Sequence, residues 1–179
     1  MTTKYIYILF FSMLVFQMQS QNNYMTKNGH LKMVVKIENQ TVAIENHELS
    51  IYLDYSTKQM SGTMDLKNLI TKIPELNNYL NKAEQPLLVE FSGVIPADDF
   101  MSHAHEPLIF NWLVNVTFQN KSFEVIFKTT LEHIEEGSFF SCRLSTFGEI
   151  QTSTLGLEDL IPGLGEILEL HFIQVVLRI

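Results

Sequence analysis

Residues 108–132 read LIFNWLVNVTFQNKSFEVIFKTTLE. In the first half, Leu108, Phe110, Trp112, Val114, Val116 and Phe118 recur at every second position, and Asn111, Asn115 and Thr117 fall between them. Such alternation marks a strand with one buried and one wet face. After Gln119-Asn120-Lys121 it resumes, with Phe123, Val125, Phe127, Thr129 and Leu131 opposed to Ser122, Glu124, Ile126, Lys128, Thr130 and Glu132. Asn120 tolerates the left-handed backbone of a tight turn, so the two runs read as an antiparallel hairpin.

Working outward, the same period returns. Leu49, Ile51, Leu53 and Tyr55 share one face, and Ser50, Tyr52, Asp54 and Ser56 the other. Further strands are expected at Leu31–Glu38, Thr41–Asn46, Gln59–Leu66, Leu87–Ile95, Ser138–Phe147 and Leu168–Arg178. Together these make about nine strands, spaced too closely for helical crossovers, which predicts an all-β antiparallel sheet curled into a barrel or sandwich. Gly62 and Gly93 fall inside strands and suggest bends or bulges that help the sheet close.

One segment has a different period. Leu66, Leu69, Ile70, Ile73, Leu76 and Leu80 recur at helical spacing with Pro74 among them. Proline lacks a backbone donor and restricts Ile73 before it, so two short helical pieces are expected on the barrel or across its mouth. The connection from Gly156 to Gly165 is apolar for a loop. It reads either as an entrance for an apolar ligand or as a short helix in which Leu157, Leu160, Ile161 and Leu164 plug one barrel end.

The N-terminus is organised differently. Lys4 is followed by the apolar run Ile6–Phe16 and then by Gln17-Met18-Gln19-Ser20-Gln21. Basic, apolar and polar segments in that order predict a signal peptide over residues 1–20, cleaved near Ser20 or Gln21. The run is shorter than the ~20 apolar residues a membrane helix needs, which disfavours a retained anchor. Residues 21–179 then form a single domain, periplasmic or secreted, with no membrane span after processing.

Composition excludes several functions. The net charge of −8, with no Lys/Arg cluster, repels a phosphate backbone and argues against nucleic-acid binding. Cys142 is the only cysteine, so no intrachain disulfide supports the fold. Flanked on its face by Phe140 and Leu144, it reads as a buried, inert thiol with no partner to activate it. The loop Pro96–Pro107 carries Asp98, Asp99, His103, His105 and Glu106, donors suited to a divalent ion. A closed site needs further ligands that the sequence does not place, so the loop is read as solvated and no metal is expected. His30, His47, His133 and His171 show no triad spacing, and Gly163-Leu164-Gly165 fails the dinucleotide fingerprint. No catalytic residue and no cofactor are expected.

Three stretches carry a family resemblance. Leu88–Gly93, with Asp98-Asp99-Phe100 and His105–Phe110, is similar to the central region of the YceI-like family. Phe139–Gly148 resembles its late strand ending in an aromatic-glycine pair, and Gly165–Leu177 its final strand. The family's usual opening, an aspartate and then a histidine-serine pair, is absent from the N-terminal third. The resemblance implies a lipocalin-like β-barrel of the bacterial envelope associated with polyisoprenoid binding.

The inward apolar face is therefore the candidate functional surface. The expected ligand is an apolar lipid or isoprenoid chain, and the expected contacts are Phe110, Trp112, Phe123 and Phe127, inward on both strands of the hairpin. The competing readings are a filled-core barrel that binds another envelope protein and a metal-dependent hydrolase built on His103 and His105.

Overall fold

The computed structural model describes residues 23–97, 106–136 and 139–178. The expected signal peptide and the Asp98–His105 part of the polar loop lie outside these residues. In chain order the strands are β1 (Asn23–Ile37), β2 (Gln40–Asp54), β3 (Gln59–Asp65), β4 (Leu88–Val94), β5 (Leu108–Phe118), β6 (Lys121–Glu136), β7 (Phe139–Gln151) and β8 (Leu164–Arg178). Each pairs antiparallel with the next, and β8 pairs with β1, so the sheet closes and leaves no free edge.

The hairpin forms as read. Leu108 pairs with Leu131 and Phe118 with Lys121 in unbroken register. Gln119 and Asn120 have φ of 47° and 64°, the two left-handed residues of a tight hairpin turn. Glu38 and Asn39, with φ of 48° and 67°, make the same turn between β1 and β2.

Eight strands replace the nine expected because Thr41–Asn46 and the run that starts at Leu49 belong to one strand, β2. Its inward set shifts from Ile44 and Asn46 to Leu49, Ile51 and Leu53. The register against β1 is irregular between Thr26 and Gly29 and again between Gly29 and Leu31. A β-bulge changes which residues face inward without ending the strand, so in the sequence it looks like two strands. The same irregularity hides the start of β1, which runs from Asn23 and buries Tyr24 before the phase changes.

Gly62 and Gly93 mark close approaches, since β3–β4 pairing runs through both without a register shift. Gly62 is opposite Phe91, and a Cβ there would come within 2.3 Å of the phenyl Cζ. A Cβ on Gly93 would come within 2.5 Å of Trp112 Nε1.

Between β3 and β4 the chain makes a 3-10 turn (Leu66–Asn68) and helix α1 (Pro74–Lys82), the two helical pieces expected. Pro74 occupies the first turn, where a missing N–H costs no intrahelical bond. Ile73, Leu76 and Leu80 are buried against the barrel. The second cap differs from expectation. Helix α2 is only Thr152–Leu155, ended by Gly156 at φ 67°, and residues 157–164 form hydrogen-bonded turns. Ile161 is buried and Leu157, Leu160 and Leu164 are half-buried, so the segment covers the barrel end without the expected helix.

Candidate functional site

The barrel interior divides into two halves. At one end Tyr24, Leu53, Met60, Ile95, Trp112, Leu131, Leu144 and Leu177 are each 2% exposed or less and pack solidly. At the other end a cavity of about 130 Å³ remains, with an apolar lining. Its walls are Leu31, Met33 and Val35 of β1, Ile44 and Leu49 of β2, Val116 and Phe118 of β5, Ile150 of β7, and Leu168 and Leu170 of β8. Leu66, Leu69 and Leu76 close over it from one side and Leu155, Leu157, Ile161 and Leu164 from the other.

Three phenyl rings form the floor. Phe172 stacks on Phe127 with centroids 5.4 Å apart, and Phe91 lies 5.5 Å from Phe172. Trp112 supports them, 6.0 Å from Phe127 and 6.3 Å from Phe91. Rings that meet offset or edge-on gain about 0.5–1.5 kcal/mol per pair beyond their buried area, so the floor is a rigid boundary between the halves.

The four expected contact residues separate at this floor. Phe123 and Phe127 line the cavity. Trp112, fully buried, lies on the far side of the rings, and Phe110, half-buried, lies further down the same strand toward the packed end. All four face inward as read, but the continuous wall expected from the hairpin is cut by the aromatic layer. Phe91 and Phe172 also line the cavity. Phe172 meets Phe127 across the strand β7, and the curl of the sheet brings Phe91, on β4 beside the hairpin, against Phe172.

The Tyr55 hydroxyl meets His133 Nε2, and Tyr24 packs edge-on against Tyr55 at 4.9 Å. Burial pushes His133 down to about 4, so the ring is neutral at physiological pH. His133 lies opposite Cys142 in the β6–β7 register, which brings an imidazole and a thiol to one inward face. Burial pushes that thiol up to about 12, the reverse of what a nucleophile needs. His133 lies within β6. Cys142 is fully buried, and Arg143 beside it faces outward and pairs with Glu132.

Two larger depressions, of about 410 and 820 Å³, lie on the outside of the barrel. Ser50, Ser61 and Ser92 line the first and Thr41, Lys72 and Glu75 the second. Both are open to water, so among these depressions of the described residues the internal cavity is the one able to desolvate an apolar ligand.

No family model matches this chain, and no curated protein matches it in sequence. Among solved structures it is similar to a polyisoprenoid-binding domain from Saccharophagus degradans implicated in plant cell wall breakdown, with a TM-score of 0.61 and 12% identity. The likeness covers 88% of this chain and 97% of that one. At that identity it establishes the fold, the antiparallel lipocalin-like closed barrel that the YceI-like resemblance implied.

Proposed function

We propose that this protein is a non-enzymatic carrier that holds an apolar lipid or isoprenoid chain in the capped half of its barrel. The observation that carries the reading is the apolar cavity over the Phe91, Phe127 and Phe172 floor, in a fold shared with a polyisoprenoid-binding domain. Binding comes from burial of CH₂ groups, at about 0.8 kcal/mol each. The lining offers no hydrogen bond or charge, so it selects apolar chains by length and width.

The volume sets how binding proceeds. About 130 Å³ is well below the ~300–1,000 Å³ of ordinary ligand pockets. A polyprenyl chain therefore enters by displacing the caps, α1 on one side and residues 152–164 on the other, while the aromatic floor stays in place. The test is native mass spectrometry of the protein purified from membranes, followed by titration with a polyprenol. A hydrocarbon-rich adduct and saturable binding support the carrier. No adduct and no saturable binding favour the filled-core interaction barrel, for which the solid packing of the other half is the supporting observation.

Export belongs to the same proposal. The basic-apolar-polar order of residues 1–20 supports it. No helix among the described residues is long and apolar enough to cross a membrane. Fractionation of cells expressing the full chain should find a product shorter by about 20 residues in the periplasm or medium. Full-length protein held in the cytoplasm would overturn this.

A further inference from the structure

We infer that the outer wall of the barrel carries a divalent-metal site made by His30, Glu45 and His47, with zinc the ion it suits best. Sequence reasoning placed the available metal donors in the 96–107 loop; this cluster is separate and lies on β1 and β2. Its three residues each offer a ligand atom, and these atoms lie within 4.8 Å of one another.

The β-bulge makes the cluster. Glu45 and His47 are two apart on β2 and share the outward face. Gly29 pairs with Leu49 and Leu31 with Asn46, so the single residue His30 stands opposite both His47 and Glu48. An extra residue on one strand re-aims the side chains beside it. The two imidazoles consequently lie face to face, with centroids 4.3 Å apart and 34° between their planes.

The distances suit a metal better than a hydrogen bond. His30 Nε2 is 3.6 Å and His47 Nε2 3.4 Å from the same oxygen, Glu45 Oε2. Zinc–nitrogen and zinc–oxygen bonds of about 2.0–2.1 Å in a tetrahedron place neighbouring ligand atoms ~3.3 Å apart. His30 Nε2 is shielded from solvent and has no hydrogen-bond partner. Lys32, the register partner of Glu45, forms no ion pair with it, and Glu48 is held away by a 2.6 Å hydrogen bond from Asn68. Two imidazoles and a carboxylate are a recurrent zinc ligand set, leaving a fourth position for water.

The location gives the site a consequence. The Glu45 backbone exchanges hydrogen bonds of 2.8 and 3.0 Å with Ile70, on the segment that leads into α1. Leu31 and Ile44, chain neighbours of His30 and Glu45, line the cavity. An ion here fixes the bulge and the anchor of one cap, so its occupancy raises the thermal stability of the whole barrel.

The experiment uses the full mature chain, stripped with chelator and dialysed, then titrated with zinc chloride by calorimetry and by thermal unfolding. One saturable site with a raised Tm is expected. His30→Ala and His47→Ala should each weaken zinc binding at least tenfold and Glu45→Gln should weaken it measurably, while the double variant His103→Ala/His105→Ala keeps it. Cobalt(II) should give the visible absorption of a tetrahedral site in the wild type and lose it in His47→Ala. His47 is half exposed, so that variant keeps its fold, verified by circular dichroism. Absence of saturable zinc binding, binding unchanged in the strand variants, or binding lost only in the loop variant would each overturn the proposal.

Discussion

Phe127 on β6 stacks on Phe172 of β8 across the intervening strand, with 28° between the ring planes, because the β7 residue beside Phe127 is Gly148. A Cβ on Gly148 would come within 2.6 Å of Phe127 Cδ1 and 2.8 Å of Cε1. Gly148→Ala therefore tilts the Phe127 ring off Phe172. We expect a loss of about 1–3 kcal/mol in urea unfolding, with weaker polyprenol binding at a temperature where the variant is folded. A variant as stable as the wild type would show that the floor adjusts freely.

Trp112 is the only tryptophan and touches the floor from below. Polyprenol titration should change its fluorescence saturably. Trp112→Phe should abolish the signal yet keep the affinity within about threefold by calorimetry, since the indole lies outside the cavity. Phe123→Ala should weaken binding by about 1–3 kcal/mol, having removed part of the wall. The opposite ranking would place the chain below the aromatic layer.

His133 makes stability depend on pH. Its imidazole is held down to about 4 in the fold and returns to about 6.5 in the unfolded chain. Between these values the unfolded state binds the extra proton, so stability is full above about pH 6.5 and falls as pH drops toward 4. Across that window the loss amounts to about 3 kcal/mol, to be read from urea unfolding at a series of pH values. His133→Gln cannot titrate and should flatten the slope in this window. An unchanged slope would assign the effect to other groups.

Cys142 should resist thiol reagents. Its sulfur is fully buried and burial pushes its pKa to about 12, so the thiolate is scarce and inaccessible in the fold. Native protein at pH 8 should react with a disulfide reagent only at the rate of unfolding, and urea should release one reactive thiol. Fast labelling of the folded protein would show that the packed end opens.

By itself the sequence determined the local elements and their faces. The hairpin of residues 108–132 was legible because its period stays in phase for its whole length, so Phe110, Trp112, Phe123 and Phe127 could be placed inward from spacing alone. Pro74 among leucines at helical spacing likewise announced a short helix after a turn. Bulges interrupt that legibility, since the period-two rule has no term for an extra residue; this is why β2 read as two strands and β1 as starting at Leu31. Tertiary structure alone decided where the cavity ends and what surrounds it. Phe172 reaches Phe127 across β7, and the curl of the sheet brings Phe91 of β4 against Phe172; that meeting, set by pairing across the whole sheet, divides the interior between cavity and solid core. The approach of His30 to Glu45 and His47 was equally hidden, because the bulge that aims them exists only once β1 and β2 pair.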